Sequence, residues 1–155
     1  MGRLVSSALG AGFVDLDEAI AARAGKSVAR LFAEEGEAVF RALEAEVGAS
    51  VLAGPPCVVA PGGGFFAGDV TRAMAGGSGL VVYLETAPAE AATRLGGAAG
   101  RPLLEGGPIR ERMTALLAER APHYRQAECT VATDGRSPSE VAADVLSLAR
   151  DRGGW

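Results

Sequence analysis

The sequence predicts an α/β fold, a parallel β-sheet flanked by helices within one domain. Three observations carry that expectation. Unbroken apolar runs at Cys57-Val58-Val59-Ala60 and Gly79-Leu80-Val81-Val82-Tyr83-Leu84 suit parallel strands covered on both faces. Segments of helical periodicity alternate with them, the pattern of a sheet wrapped by helices. The apolar content of 48% comes from Ala, Val and Leu, with only 5% aromatic residues, and 22 Gly with 8 Pro supply the many turns that short alternating elements need.

Element by element, residues 1–10 read as the end of a helix, because Leu4, Val5, Ala8 and Leu9 fall at helical spacing and Gly10 stops it. Gly12 to Asp15 is a short strand, and Leu16 to Ala24 returns to helical periodicity before Gly25. Ser27 caps a helix through Glu35 with Val28, Leu31 and Phe32 on one face. Gly36 ends it, and Glu37 to Val47 forms the next. The strand at 57–60 is followed by a helix around 69–75 and the strand at 79–84, after which Pro88 opens a helix where its missing N–H costs nothing. Residues 96–102 are too glycine-rich for helix or strand and carry Arg101, as a mobile lid would. Ile109 to Arg120 is helical and Thr130 to Ala132 is a last strand. Ser137-Pro138-Ser139-Glu140 is a capping box opening the final helix, and 151–155 frays.

At 155 residues the chain suits one domain, 1–155, and no repeat or linker divides it. A net charge of −4 argues against a sequence-independent grip on nucleic acid or anionic lipid. No run approaches the roughly 18 apolar residues of a membrane span, and the N-terminus lacks the order of a secretory signal. A cytoplasmic monomer without nucleic-acid or membrane partners is expected. Cys57 and Cys129 have no second ligand pair nearby and read as small buried hydrophobes rather than a zinc site or a disulfide. His123, the sole histidine, has no partner visible in the sequence and reads as an incidental surface residue.

Three features bear on chemistry. Asp15-Leu16-Asp17 stands at the carboxyl end of a strand, where open parallel sheets bind ligands, though a helix N-terminus decorated with carboxylates gives the same letters. Gly62, Gly63 and Gly64 follow the strand 57–60 and let backbone N–H groups approach a ligand, or simply make a tight turn. Arg41, Arg101 and Arg125 are suited to two-pronged contacts with carboxylate or phosphate, and each alone could equally be a solvated surface residue.

Taken in order and spacing, these pieces resemble the shikimate kinase family over almost the whole chain. The resemblance rests on Phe13-Val14-Asp15-Leu16-Asp17, on Gly36-Glu37 and Phe40-Arg41 within Phe32 to Glu44, and on Gly62-Gly63-Gly64. It continues through Val81-Val82-Tyr83-Leu84-Glu85, Arg101-Pro102-Leu103-Leu104 and Arg120-Ala121-Pro122-His123-Tyr124-Arg125. It implies a P-loop kinase architecture of the nucleoside-monophosphate-kinase type with a lid at about 96–108. The implied reaction is transfer of the ATP γ-phosphoryl group to the 3-hydroxyl of shikimate, with Mg2+, on the chorismate route to aromatic amino acids.

By the same resemblance Asp17 contacts shikimate and is the candidate base, and Asp15 holds a water of the magnesium shell. Arg41 and Arg125 clamp the shikimate carboxylate, and Gly63 offers its backbone N–H. Arg101 is the lid arginine that reaches the ATP phosphates, while Arg94, Arg136 and Pro138 fall where adenine is sandwiched. Phe32, Phe40 and Glu44 line and brace the acceptor pocket, with core packing an equal reading for both phenylalanines.

One departure stands out. P-loop kinases begin with a buried strand, GxxxxGK[ST] and a helix, and this sequence has no such motif. Gly25-Lys26-Ser27 is a decoy, since Ile20 stands where the first glycine belongs and the triplet joins two helices. The family pattern thus reads as lacking roughly fifteen N-terminal residues of the strand-loop-helix unit, whose strand would be central in the sheet and without which its neighbours keep unpaired N–H and C=O groups. Met1 falls where relatives have Val or Ile, which suggests a GTG valine codon taken as a start. The alternatives are an inactive, truncated shikimate-binding homologue and another small-molecule kinase such as a gluconate kinase.

Overall fold

The computed structural model describes residues 1–96 and 108–155. Along the chain it forms α1 (Gly2–Leu9), β1 (Gly12–Asp15), α2 (Leu16–Ala24), α3 (Val28–Leu52) and β2 (Cys57–Ala60). There follow α4 (Asp69–Gly76), β3 (Val82–Glu85), α5 (Pro88–Leu95), α6 (Ile109–Tyr124), β4 (Cys129–Ala132) and α7 (Pro138–Arg152). The lid expected at 96–108 lies outside the described residues, apart from the helix-flanking Gly96 and Pro108 at its ends.

All strand pairing is parallel. β1 runs beside β2 with Gly12 opposite Cys57 and Asp15 opposite Ala60, and β3 beside β4 with Val82 opposite Cys129 and Glu85 opposite Ala132. The finer expectation of one continuous sheet is corrected: among the described residues the strands form two separate two-stranded sheets. Nothing hydrogen-bonds β2 to β3, so neither has strands on both sides, and Leu84, expected to be buried, is 38% exposed. The strand anticipated from Gly79 begins only at Val82, because the Val81 N–H is taken by the Glu128 carboxylate at 2.6 Å.

The helices follow their sequence signals closely. Ser27 accepts from the Arg30 N–H at 3.3 Å and opens α3. Gly36 interrupts that helix at φ 84°, ψ 172°, a backbone state that favours glycine, so 28–35 and 37–52 form two helical limbs meeting at a kink. The second limb runs on past the anticipated end at Val47. The Ser137 capping box forms as expected, with the Glu140 carboxylate accepting from the Ser137 N–H at 2.8 Å. α6 differs most, continuing beyond Arg120 to Tyr124 with Pro122 inside its last turn.

Leu16 and Ile20 of α2, Leu31, Phe40 and Val47 of α3, and Phe65 of the β2–α4 connection form one buried cluster. At about 1.5–3 kcal/mol for each large apolar side chain removed from water, this cluster is what fixes α2 and α3 against each other. Gly48 lies directly under the Phe65 ring, where a Cβ would overlap it, so the β2–α4 connection is seated on α3. α7 packs on α1 and β4, and Val141, Ala142 and Ala149 of α7 are buried, as are Cys129 and Val131 of β4. Cys57 and Cys129 are both free thiols, Cys57 half-buried rather than fully enclosed as expected.

Candidate acceptor site

The carboxyl ends of β1 and β2 lie side by side, which brings the start of α2 against the glycine loop that leaves β2. Between these ends, α3, α5 and α6 is a cavity of about 370 Å³. Its polar lining includes Asp17, Arg41, Glu44, Gly62 to Gly64, Arg120 and Tyr124, and its apolar lining includes Phe32, Phe40, Leu116 and Leu117. Both phenylalanine readings hold at once, because Phe40 is 4% exposed in the core cluster while its ring, 4.6 Å from that of Phe32, also faces the cavity.

Asp15 and Asp17 are separated by one residue and do different things. Asp15 is the N-cap of α2, its Oδ1 accepting from the N–H groups of Asp17 at 3.1 Å and Glu18 at 3.3 Å. The helix-terminus reading is therefore correct for Asp15. It also has a consequence for Asp17, which is placed in the first turn of α2, where the positive end of the helix favours an ionised carboxylate. Asp17 Oδ1 stands 3.3 Å from where a Cβ on Gly62 would lie, so the missing side chain is what lets loop and carboxylate meet.

Arg41 follows the Gly36 break on α3. It donates from Nη1 to Glu44 at 2.7 Å and from Nη2 to Glu37 at 3.0 Å, and its guanidinium lies 5.2 Å from the Phe40 ring centre. A Cβ on Gly64 would overlap that guanidinium, so the loop and the cation are in van der Waals contact. Glu44 is 3% exposed in its side chain. Burial pushes its carboxyl up, Arg41 pulls it down, Asp17 adds to the rise and Arg120 opposes it, which places Arg41, Asp17 and Arg120 each within electrostatic reach of Glu44. For Arg41, burial works against the charge, but Glu44 and Glu37 outweigh it and hold the guanidinium above its ordinary value. Arg41 therefore stays cationic and is oriented before any ligand arrives.

The second cation is not the expected one. Arg125 caps the C-terminal end of α6, is exposed, and is absent from the cavity lining, where its place is taken by Arg120. Helix geometry gives the reason: five residues turn a helix by about 500°, leaving the two side chains about 140° apart. Met113, Leu116, Leu117, Arg120 and Tyr124 recur at spacings of three and four and all line the cavity. Arg120 and Tyr124 were missed as site residues, although extending that periodicity through Pro122 would have found both. Arg120 Nη1 lies 3.6 Å from a Cβ position on Gly63, and the Tyr124 hydroxyl donates to the Gly63 carbonyl at 2.7 Å. His123, expected to be without a partner, meets Arg72 of α4 with Nη1 2.8 Å from its Nδ1.

The remaining candidates gather elsewhere. Arg94 donates to the Thr133 carbonyl at 2.8 Å, and Arg136 to the Ala132 carbonyl at 3.0 Å, so both guanidiniums stand at the carboxyl end of β4, near Pro138 at the start of α7. None of the three lines the acid cavity. Arg101 lies outside the described residues. The Gly25-Lys26-Ser27 triplet joins two helices, and Lys26 is paired with Glu34 at 3.0 Å and with Glu35, so its ammonium is committed to structure.

Comparison with known proteins places this arrangement. The Shikimate kinase family model matches residues 1–150. A shikimate kinase of Thermobifida fusca is 48% identical over 92% of this chain and 82% of its own length. One from Mycobacterium bovis is 43% identical over 95% of the chain and 84% of its own length. Among solved structures, shikimate kinase from Acinetobacter baumannii in complex with shikimate superposes with a TM-score of 0.93 at 30% identity, covering 97% of this chain and 84% of that one.

Proposed function

Because the chain belongs to the shikimate kinase family, we propose that it transfers the γ-phosphoryl group of ATP to the 3-hydroxyl of shikimate, with Asp17, Arg41, Arg120 and the glycine loop as the acceptor site. The observation that supports the residue assignment is the convergence of two carboxylates and two guanidiniums from α2, α3 and α6 on one cavity. Shikimate is a small ring acid with one carboxylate and several hydroxyls. Two cations beside a glycine loop hold such a carboxylate in charge-assisted hydrogen bonds while the ring rests on Phe32 and Phe40.

Phosphoryl transfer asks a protein mainly for positioning and charge neutralisation. Arg41 and Arg120 fix the acid end, which orients the ring. Asp17, ionised at the start of α2, accepts the proton of the 3-hydroxyl as its oxygen attacks. Glu44 keeps Arg41 in place and offsets its charge, so the site carries no large excess of positive charge before the acid binds. Bound ATP supplies the γ-phosphoryl group.

The residues at the carboxyl end of β4 fit the base of a nucleotide: Arg94 and Arg136 are held at adjacent carbonyls with Pro138 close by, and planar guanidiniums stack on aromatic rings. For Mg2+, which takes only one or two protein carboxylates beside phosphate oxygens, Asp15 is the candidate through water, its Oδ1 serving the α2 cap and its Oδ2 lying outside that contact. Arg101 is assigned to the ATP phosphates on family grounds alone. We also infer that residues 1–155 belong to one shikimate kinase-like domain, in the cytoplasm and monomeric; among the described residues no helix is long and apolar enough to cross a membrane.

The test is turnover of ATP with shikimate, with the product identified by mass spectrometry. Formation of shikimate 3-phosphate, and loss of about 100-fold or more in kcat for Asp17→Asn, is the expected result. Faster turnover of gluconate in a parallel assay would overturn the substrate assignment, and no product from either acid would overturn the kinase reading in favour of an inactive shikimate-binding homologue.

A further inference from the structure

We infer that Tyr124 is a positioning residue for the acceptor, its hydroxyl setting the orientation of the Gly63–Gly64 peptide; this rests on the acceptor site proposed above. The Gly62 to Gly64 loop has no side chains of its own with which to hold a conformation, and glycine peptides rotate with little steric resistance. The Phe65 N–H closes a turn around this peptide by donating to the Gly62 carbonyl at 3.0 Å, and a further contact, on the peptide itself, comes from outside the loop. The Tyr124 hydroxyl donates to the Gly63 carbonyl at 2.7 Å. A trans peptide is planar, with its C=O and N–H pointing in opposite directions. Anchoring the Gly63 oxygen toward α6 therefore turns the Gly64 N–H the other way. Gly64 is also the residue whose Cα packs against the Arg41 guanidinium.

The tyrosine is itself held firmly. Its ring stacks on Tyr83 of β3, centroids 5.1 Å apart at 30°. The preceding residue, His123, contacts Arg72 of α4, so consecutive residues of α6 fasten both the glycine loop and the helix that follows it. The last turn of α6 thus carries Arg120 and Tyr124 on one face, one to meet the acid and one to hold the loop that meets it. A phenylalanine at this position would keep the ring stack and lose only the hydrogen bond.

The experiment is calorimetric titration of shikimate into the wild-type protein and Tyr124→Phe, with thermal unfolding of both. We expect the variant to bind shikimate about three- to ten-fold more weakly, with an unchanged affinity for ATP and a Tm lowered by no more than the few degrees that one hydrogen bond is worth. Equal shikimate affinities would overturn the inference. So would an equal loss of affinity for ATP and for shikimate, which would mark Tyr124 as a packing residue only. Absence of shikimate binding by the wild type would instead sink the acceptor-site proposal on which the inference stands.

Discussion

Arg120 and Arg125 differ by five positions, and that difference decides which of them lines the cavity. Both stand in the same short motif, and sequence spacing alone gave the role to Arg125. The structure puts Arg120 against Gly63 and leaves Arg125 in solvent at the helix end. Arg120→Ala should therefore weaken shikimate binding by about 10-fold or more, the scale of a hydrogen bond to a charged group. Arg125→Ala should stay within about two-fold. Calorimetry on the two variants checks this, and the reverse ranking would restore the sequence reading. That Asp17 and the three glycines line the cavity was legible because strand ends mark where ligands bind in parallel sheets, whereas Arg41, inside α3, was legible only through the family pattern. The Arg41–Glu44 pair is also testable by pH. Burial raises the Glu44 carboxyl above its ordinary 4.5 despite Arg41. Between that value and the raised one the folded state binds more protons than the unfolded, so stability falls as pH rises through the window. The unfolding free energy of the wild type minus that of Glu44→Gln should decline over that range, and a flat difference would contradict the assignment.

At the scale of elements, local signals were most dependable where a backbone position had few options. Gly36 was readable as a break because its observed φ of 84° is a state other residues rarely adopt, and the Ser137 capping box because its two hydrogen bonds form within one turn. The end of α6 was not readable, since Pro122 sacrifices one N–H but the last turn remains helical around it. The letters Gly25-Lys26-Ser27 show the converse hazard, resembling a phosphate loop while acting as a helix junction. Ser27→Ala should lower stability by about 1 kcal/mol through loss of the α3 cap, measured by urea unfolding. Lys26→Ala should leave ATP affinity unchanged, whereas a large loss of ATP binding would make the triplet a genuine phosphate site.

For the molecule as a whole, the α/β class and the parallel pairing were legible from apolar runs and their alternation with helices. The division into two sheets fits the expectation that the first strand of the family pattern, which has no counterpart in this sequence, is central in the sheet and that its neighbours are left unpaired without it. The acceptor cavity lies across this division, with Asp17 and the glycine loop belonging to the β1–β2 side and Tyr83 and Leu84 to β3. A ligand seated there ties the two sides together. Shikimate at 100 times its Kd should add about 2.7 kcal/mol to stability, which raises Tm by about 5–10 °C for a domain of this size. Thermal scans with shikimate and with an uncharged cyclohexane polyol distinguish this from a nonspecific solute effect. The most direct test of the central claim is a crystal structure of the protein soaked with shikimate. The account predicts the carboxylate between Arg41 and Arg120, with the 3-hydroxyl within hydrogen-bond reach of Asp17. Shikimate bound with its carboxylate away from both arginines, or bound outside this cavity, would contradict it.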